Sequence, residues 1–345
     1  MVKYLIKRTA LAAFVLLCTA FLSFALICVL PGEYFTRFKL SIAMSQGREN
    51  LDASYQQLLA SKGLDKPWVV QFFYWVKGVI LHGSFGRPFG TYGRDHGGAS
   101  GLMLRYLFRP GGELMITLLI CASSLVVATT LAVLLGTLTL LPGGRWLYVV
   151  LSAISTPTLA VPGFVFAALL LLVLVHYVDP LYAVPGLWGV CGWQYLGAPM
   201  SFAKFLSCLV RLAPMWAIVG MPVFATGLRV FRASMQDQLG MLYITVARGR
   251  GLSMGRVLFK HAMRNALNPL ITSSINMLPT ILVNTMFVGF MFGVSTYGDI
   301  LKEAVDWQDP APLTMLFVFY SSVLVVGNMI ADIGIALADP RIRYA

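Results

Sequence analysis

The stretch Thr245-Val246-Ala247-Arg248-Gly249-Arg250-Gly251-Leu252-Ser253 lies inside a connector, Arg229 to Pro269, on which the reading of the whole chain turns. This connector carries Arg229, Arg232, Arg248, Arg250, Arg256, Lys260 and Arg264 against a single acid, Asp237, although its flanks are strongly apolar. Charges at mid-bilayer cost ~2.5–3.5 kcal/mol each even on insertion scales, so the cluster belongs outside the lipid, between two spans. Gly251 permits the positive φ of a sharp corner, and Ser253 is placed to N-cap the helix after it. Two short helices meeting at a glycine are predicted. In the second, Arg256, Lys260 and Arg264 are four apart and share a face, Val257 and Leu258 mark an apolar face, and Phe259 and Met263 mark another. Asn268-Pro269 predicts the end of that helix, because the residue before a proline is pushed out of the α region.

The composition fits a connector between spans. A chain of 345 residues that is 58% hydrophobic and 12% charged, with mean hydropathy +0.77, is too apolar for a soluble fold. Its net charge of +12 gathers largely on the connector and near the termini, which fits the positive-inside pattern of a membrane protein and points away from nucleic acid. The fold class expected is an all-α polytopic membrane protein with six transmembrane helices. The first, within residues 1–30, follows Lys3, Lys7 and Arg8 and reads as an anchor rather than a cleaved leader. The others fall at about 114–141, 148–176, 206–228, 270–294 and 313–337. Residues 31–112 are too charged to cross lipid and too many for a simple loop, so they predict an external subdomain. Residues 113–345 form the membrane core, and the connector 229–269 lies between helices 4 and 5, on the same side as both termini.

Within the spans, the second is rich in Ser and Thr, whose hydroxyls bond back to the helix or reach a neighbour. Thr156-Pro157 and Val161-Pro162-Gly163 predict kinks in the third. Arg211 sits near the outer end of the fourth and is expected to snorkel. Asn276 and Asn284 in the fifth are expensive facing lipid, so they either glue helices together or line a hydrated pathway, while Gly289 and Gly293 favour close helix packing. Cys18, Cys28, Cys121, Cys191 and Cys208 lack metal-ligand spacing and read as structural thiols, with a Cys191–Cys208 bridge the rarer alternative. No lysine follows a glycine and precedes Ser or Thr, so there is no phosphate loop. Nor is there a His-Glu-x-x-His zinc pattern or a Gly-x-Ser-x-Gly elbow.

Thr245 to Ser253, followed by Val257, His261, Arg264-Asn265-Ala266 and Pro269, resembles the "EAA" loop of bacterial ABC importer permeases, nearest to the dipeptide and oligopeptide branch. Thr245 stands where the general motif has glutamate. Gly63-Leu64-Asp65-Lys66-Pro67, Gly83-Ser84-Phe85-Gly86-Arg87, Arg229-Val230-Phe231-Arg232-Ala233-Ser234-Met235 and Asp339-Pro340-Arg341-Ile342-Arg343 resemble further signatures of that branch, so the likeness covers nearly the whole chain. It implies a non-catalytic permease subunit in a bacterial inner membrane, with both termini cytoplasmic. The implied partners are a second homologous permease, cytoplasmic ABC ATPases that bind ATP and Mg, and an extracytoplasmic substrate-binding protein. Thr245, Ala247, Arg248, Gly251, Arg256, Lys260, His261 and Asn265 are the implied ATPase-coupling residues. Related permeases carry oligosaccharides or nickel chelates as well as peptides. An ATPase-independent channel or receptor, and a membrane-embedded enzyme, are the rivals from other classes.

Overall fold

Long runs of apolar residues without charges form the principal helices, because in lipid a backbone must satisfy its own hydrogen bonds. The computed structural model describes residues 2–29, 65–86, 112–177, 201–307 and 309–338, together with the single positions 56, 60 and 199. Every regular element among them is helical. Much of the expected external subdomain, residues 178–198 and 200 between the third and fourth predicted spans, and the C-terminal Asp339 to Arg343 signature lie outside the described residues.

The helices are α1 (Val2–Val29), α2 (Trp68–His82), α3 (Glu113–Leu138), α4 (Arg145–Ser155), α5 (Pro157–Ala160), α6 (Gly163–Tyr177), α7 (Phe202–Leu239) and α8 (Leu242–Gly249). After these come α9 (Met254–Arg256), a π-helical segment (Val257–Ala262), α10 (Met263–Asn276), α11 (Leu278–Phe292), α12 (Tyr297–Asp306) and α13 (Pro310–Ala338). Four of them, α1, α3, α7 and α13, are singly long and apolar enough to cross a membrane, and two bent pairs raise the number to as many as six.

The bent pairs fall on the third predicted span, where Thr156-Pro157 and Val161-Pro162-Gly163 were expected to kink the helix, and on the fifth, for which no kink was predicted. The third predicted span is broken: α4 with α5 meets α6 at 116°. The reason is local. Pro157 and Pro162 remove two backbone donors within six residues, and Val161 leaves the helix at φ −102°, ψ 132°. The fifth predicted span bends by 47° at Met277, just before Pro279. Pro269 does not end its helix, as expected from the sequence, but sits inside α10, where Ala266, Leu270 and Ser274 are buried on either side of it. Packing on those neighbours outweighs one lost hydrogen bond.

The contacts fall into two compact units, Met1–Ile116 with Thr296–Ser322 and Thr117–Ser295 with Val323–Ala345. In the first, Phe72 and Trp75 of α2 pack on Phe24 of α1 beside Val318. The stretch with Asp299, Glu303 and Asp306 is helix α12, opened by a capping box in which Thr296 and Asp299 satisfy each other's backbone. Buried Asp309 then accepts from the Ala311 N–H to start α13.

In the second unit the hydroxyls of α3 behave as expected: Thr129 donates to the Leu125 carbonyl at 2.7 Å, and Ser123 also accepts from Trp216 Nε1 at 2.8 Å. Arg211 is buried within protein, 8% exposed, and does not snorkel as expected from the sequence. Gly293 serves as an exposed left-handed helix terminator at φ +65° rather than as the packing glycine its spacing predicts. Cys18 and Cys121 are free, as expected by default, whereas Cys208 is disulfide-bonded, the state that the sequence reading keeps as the rarer alternative.

Candidate coupling site

Helix α7 carries the membrane segment straight into the connector. It is 38 residues long, and at ~1.5 Å per residue its ~57 Å exceeds a ~30 Å hydrocarbon core. The predicted boundary at residue 228 is therefore not a helix end, and Arg229 and Arg232 stand on the same rod as Pro214 and Pro222. Arg229 donates from Nη2 to Thr156 Oγ1, at the break between α4 and α5. Arg232 donates from Nη1 to the Thr139 carbonyl at 2.6 Å, and its guanidinium lies 4.4 Å from the Tyr148 ring centre. The root of the connector is thus pinned to the turn after α3 and to the broken span.

Beyond Leu239 the connector folds on a core of its own. Phe231 and Met235 of α7, Ile244 and Ala247 of α8, and Val257 and Leu258 of the π segment are buried together. Ala262, Ala266 and Leu270 extend that core into α10. The predicted glycine corner is present: Gly251 has φ +78°. Its N–H donates to the Arg248 carbonyl at 2.9 Å, and the Leu252 N–H reaches the Ala247 carbonyl at 3.4 Å. That pair of bonds is a Schellman termination of α8, and Leu252 closes it by packing back onto the core that holds Ala247. Ser253 occupies the N-cap position before α9, but its side chain makes no capping hydrogen bond.

The predicted coupling residues divide. Thr245, Arg248, Gly251, Arg256, Lys260 and Asn265 are exposed on the connector, His261 is half-buried, and Ala247 is buried in the connector core. Asn265 donates to Tyr243 Oη at 3.2 Å and to Gln238 Oε1 at 3.4 Å, while Tyr243 Oη donates to Gln238 Oε1 at 2.7 Å. This triad ties α7, α8 and α10 at the surface. Asn276 and Asn284 do not join the connector. Asn276 is exposed on α10, and Asn284 is buried on α11 against Gly163, where an added Cβ would stand 2.6 Å from Asn284 Oδ1.

Sequence reading marked Phe259 on a second apolar face but missed the outward apolar face of α8. Leu242 is 83% exposed and Phe259 61%, and Met241, Tyr243 and Val246 are exposed as well. Helix α8 is apolar on both sides: Ile244 and Ala247 turn inward while Leu242 and Val246 turn outward. The i, i+4 spacing of that outward pair was the signal available. Arg248, Arg250, Arg256 and Lys260 are exposed near them on the same connector. Large exposed apolar residues accompanied by arginines are the composition of a protein-docking surface. The π segment, an element frequent at functional sites, carries Lys260 and His261. Among the described residues no three His, Cys, Asp or Glu side chains are grouped to hold a metal ion.

Membrane-length helices joined to a folded, basic connector with an apolar outer surface define a polytopic component of a membrane assembly. The chain belongs to the family of binding-protein-dependent transport system inner membrane components, whose model matches residues 128–344, with the companion N-terminal model matching residues 1–94. It is similar to the oligopeptide transport system permease protein AppB of Bacillus subtilis, 30% identical over all of both chains. It is also similar to the dipeptide transport system permease protein DppB of the same organism, 27% identical over 99% of this chain and 98% of the relative. The oligopeptide permease OppB of Haemophilus influenzae is 26% identical over the full length of both. Membership makes the chain a multi-pass, non-catalytic permease component of the inner membrane, with ATP hydrolysis belonging to separate subunits.

Proposed function

We propose that this chain is the permease subunit of an ATP-driven importer for dipeptides and oligopeptides. It pairs with a second homologous permease, receives substrate from an extracytoplasmic binding protein, and holds both termini and residues 229–269 in the cytoplasm. In this reading residues 1–30 are the first span, 31–112 an extracytoplasmic subdomain and 113–345 the permease core. The names of the full-length relatives support the substrate class. The distribution of basic residues supports the orientation.

The observation that carries the coupling role is that Leu242, Val246 and Phe259 are exposed on the same connector as the exposed Arg248, Arg256 and Lys260. An ATPase groove covers the apolar residues, and its acidic rim meets the basic ones. When nucleotide closes the ATPases, α8 and the π segment move with them, and α7 carries the displacement through Arg229 and Arg232 to the break at Thr156. Alternating access of the pathway results from that displacement. Asn276, exposed on α10, is a candidate pathway group, whereas Asn284 holds helices together.

The test is Leu242→Asp and Phe259→Ala, each co-expressed with the partner subunits. Removing a docking anchor costs more than ~1 kcal/mol of association, so both variants retain less ATPase on purification and lose dipeptide uptake, with the thermal midpoint of the chain unchanged. Full retention of ATPase and uptake in both variants defeats the docking role. A ligand screen on the cognate binding protein that returns only oligosaccharides or nickel chelates defeats the peptide assignment.

A further inference from the structure

Helix α2 does not fit the expectation of a polar external subdomain. Of the residues from Trp68 to His82, only Gln71, Lys77 and His82 are strongly polar, so the helix is apolar nearly all the way round. Such a helix is covered on every side, by protein or by lipid. Its 15 residues extend ~22 Å at ~1.5 Å each, too short to cross a ~30 Å hydrocarbon core.

One side is covered by α1. Phe72 meets Phe21 edge-on at 5.2 Å and Phe24 at 5.7 Å, and Trp68 lies 5.7 Å from Phe21. The polar group of Trp75 is satisfied by donating to the Phe85 carbonyl at 2.9 Å. The other side is bare: Ile80 is 75% exposed, Phe73 66% and Leu81 62%, with Val69, Val70 and Tyr74 beside them. At 100° per residue, Val69, Phe73 and Ile80 form one stripe, and Val70 and Leu81 widen it.

The level of α2 follows from the helix it packs on, since Phe21 and Phe24 lie within the apolar Arg8–Leu26 stretch of α1. Leu22 and Leu26 of α1, at the level where α2 packs, are 66% and 60% exposed on a membrane-length helix, so lipid covers them. The polar trim is that of a helix at the lipid boundary. Lys66 places its Nζ 4.4 Å from the Tyr74 ring centre, and the exposed Lys77 has a stem long enough to bring its ammonium up to lipid headgroups.

We infer that α2 lies in the membrane, seated in the leaflet at the C-terminal end of α1, with Val69, Phe73, Ile80 and Leu81 in contact with acyl chains. The region between the first two spans is thereby held down on the bilayer by a half-inserted helix, where a solvated subdomain was expected.

The test is nitroxide labelling of Phe73→Cys, Ile80→Cys and Leu81→Cys in the full chain reconstituted in phospholipid vesicles, with the labelled parent chain's signal subtracted. Oxygen, which concentrates in lipid, is expected to relax these labels severalfold more strongly than chromium oxalate, which stays in water. Ser253→Cys, on the connector, is expected to show the reverse ratio. Chromium oxalate access at 73, 80 and 81 equal to that at 253 overturns the inference, since the face would then be wet. Loss of access to both reagents at 73, 80 and 81 also overturns it, because a protein then covers the face. Three separately labelled positions keep the result readable if one variant fails to fold. The experiment is independent of substrate and of ATPase docking, so its outcome leaves the proposed transport role untouched and bears only on where residues 68–82 of the 31–112 region lie.

Discussion

Valine in place of Gly251 perturbs the corner with the backbone as the only variable. The residue sits at φ +78°, and a Cβ built there meets nothing within 4 Å, so no steric clash confuses the outcome. The left-handed region costs an L-residue ~1–2 kcal/mol, and a β-branched side chain falls toward the top of the ~1–3 kcal/mol typical of strained positions. At ~1.4 kcal/mol per factor of ten, the formed corner loses roughly five- to 150-fold in population against its alternatives. With it go the two terminating hydrogen bonds of α8 and the return of Leu252 onto the core. The buried residues from Phe231 to Leu270 are untouched, so insertion and the thermal midpoint are expected to change little. Severity should rise from Gly251→Asn, since asparagine visits the left-handed region most readily, through alanine to valine. Gly255→Ala is the control: its surroundings are equally open, but its backbone is helical, so alanine is neutral or stabilising by up to ~1 kcal/mol. The assay is substrate-stimulated ATP hydrolysis by the assembled transporter in proteoliposomes. If Gly251→Val couples like the parent, or Gly255→Ala is as damaging, the left-handed corner does not set the docking geometry.

Three other outcomes are expected. Arg232→Ala removes a charge-assisted hydrogen bond worth ~1.5–3 kcal/mol and a contact with the Tyr148 ring, so the thermal midpoint of the purified chain drops, and Arg232→Lys restores part of it; an unchanged midpoint in the alanine variant rules out the pin. Gly163→Ala drives a methyl into Asn284 and costs ~1–3 kcal/mol of overpacking, which Asn284→Ala relieves; simple additivity in that pair would mean the two residues do not touch. In intact cells a membrane-impermeant maleimide is expected to modify Ser84→Cys and spare Ser253→Cys, and the opposite pattern inverts the proposed topology.

The connector was readable because its signals are local. Charge density excluded lipid, and Gly251 marked a backbone state that few other residues adopt. Prolines were the weak point, since the same residue breaks one helix and rides inside another. Pro214, Pro222 and Pro269 each stand alone, with buried neighbours such as Val223 and Leu270 holding the helix on both sides. Pro157 and Pro162 stand five apart with Gly163 next to them, and no intervening segment is long enough to repair the ladder. Local sequence names the lost donor, while tertiary burial decides whether the helix survives the loss. The outward face of α8 was hidden for a related reason: apolar spacing alone does not say which of two apolar faces the core takes. The span boundary at residue 228 was misplaced because hydropathy records where lipid ends, and α7 continues past it.

That continuity constrains how this chain can change. From Pro214 to Leu239 the polypeptide is one uninterrupted screw, and each residue added or removed turns everything beyond it by about 100° and advances it ~1.5 Å. Arg229 and Arg232 hold their partners from fixed points on that screw, and Phe231 and Met235 must face the connector core from the same thread. A single-residue insertion between Pro222 and Arg229 would therefore leave both arginines aimed away from Thr156 and Thr139 while changing no residue near the docking surface. Compensation requires a near-whole number of turns, so three- or four-residue insertions should be gentler than one or two. The length of this rod is as much a part of the proposed coupling device as any side chain on it.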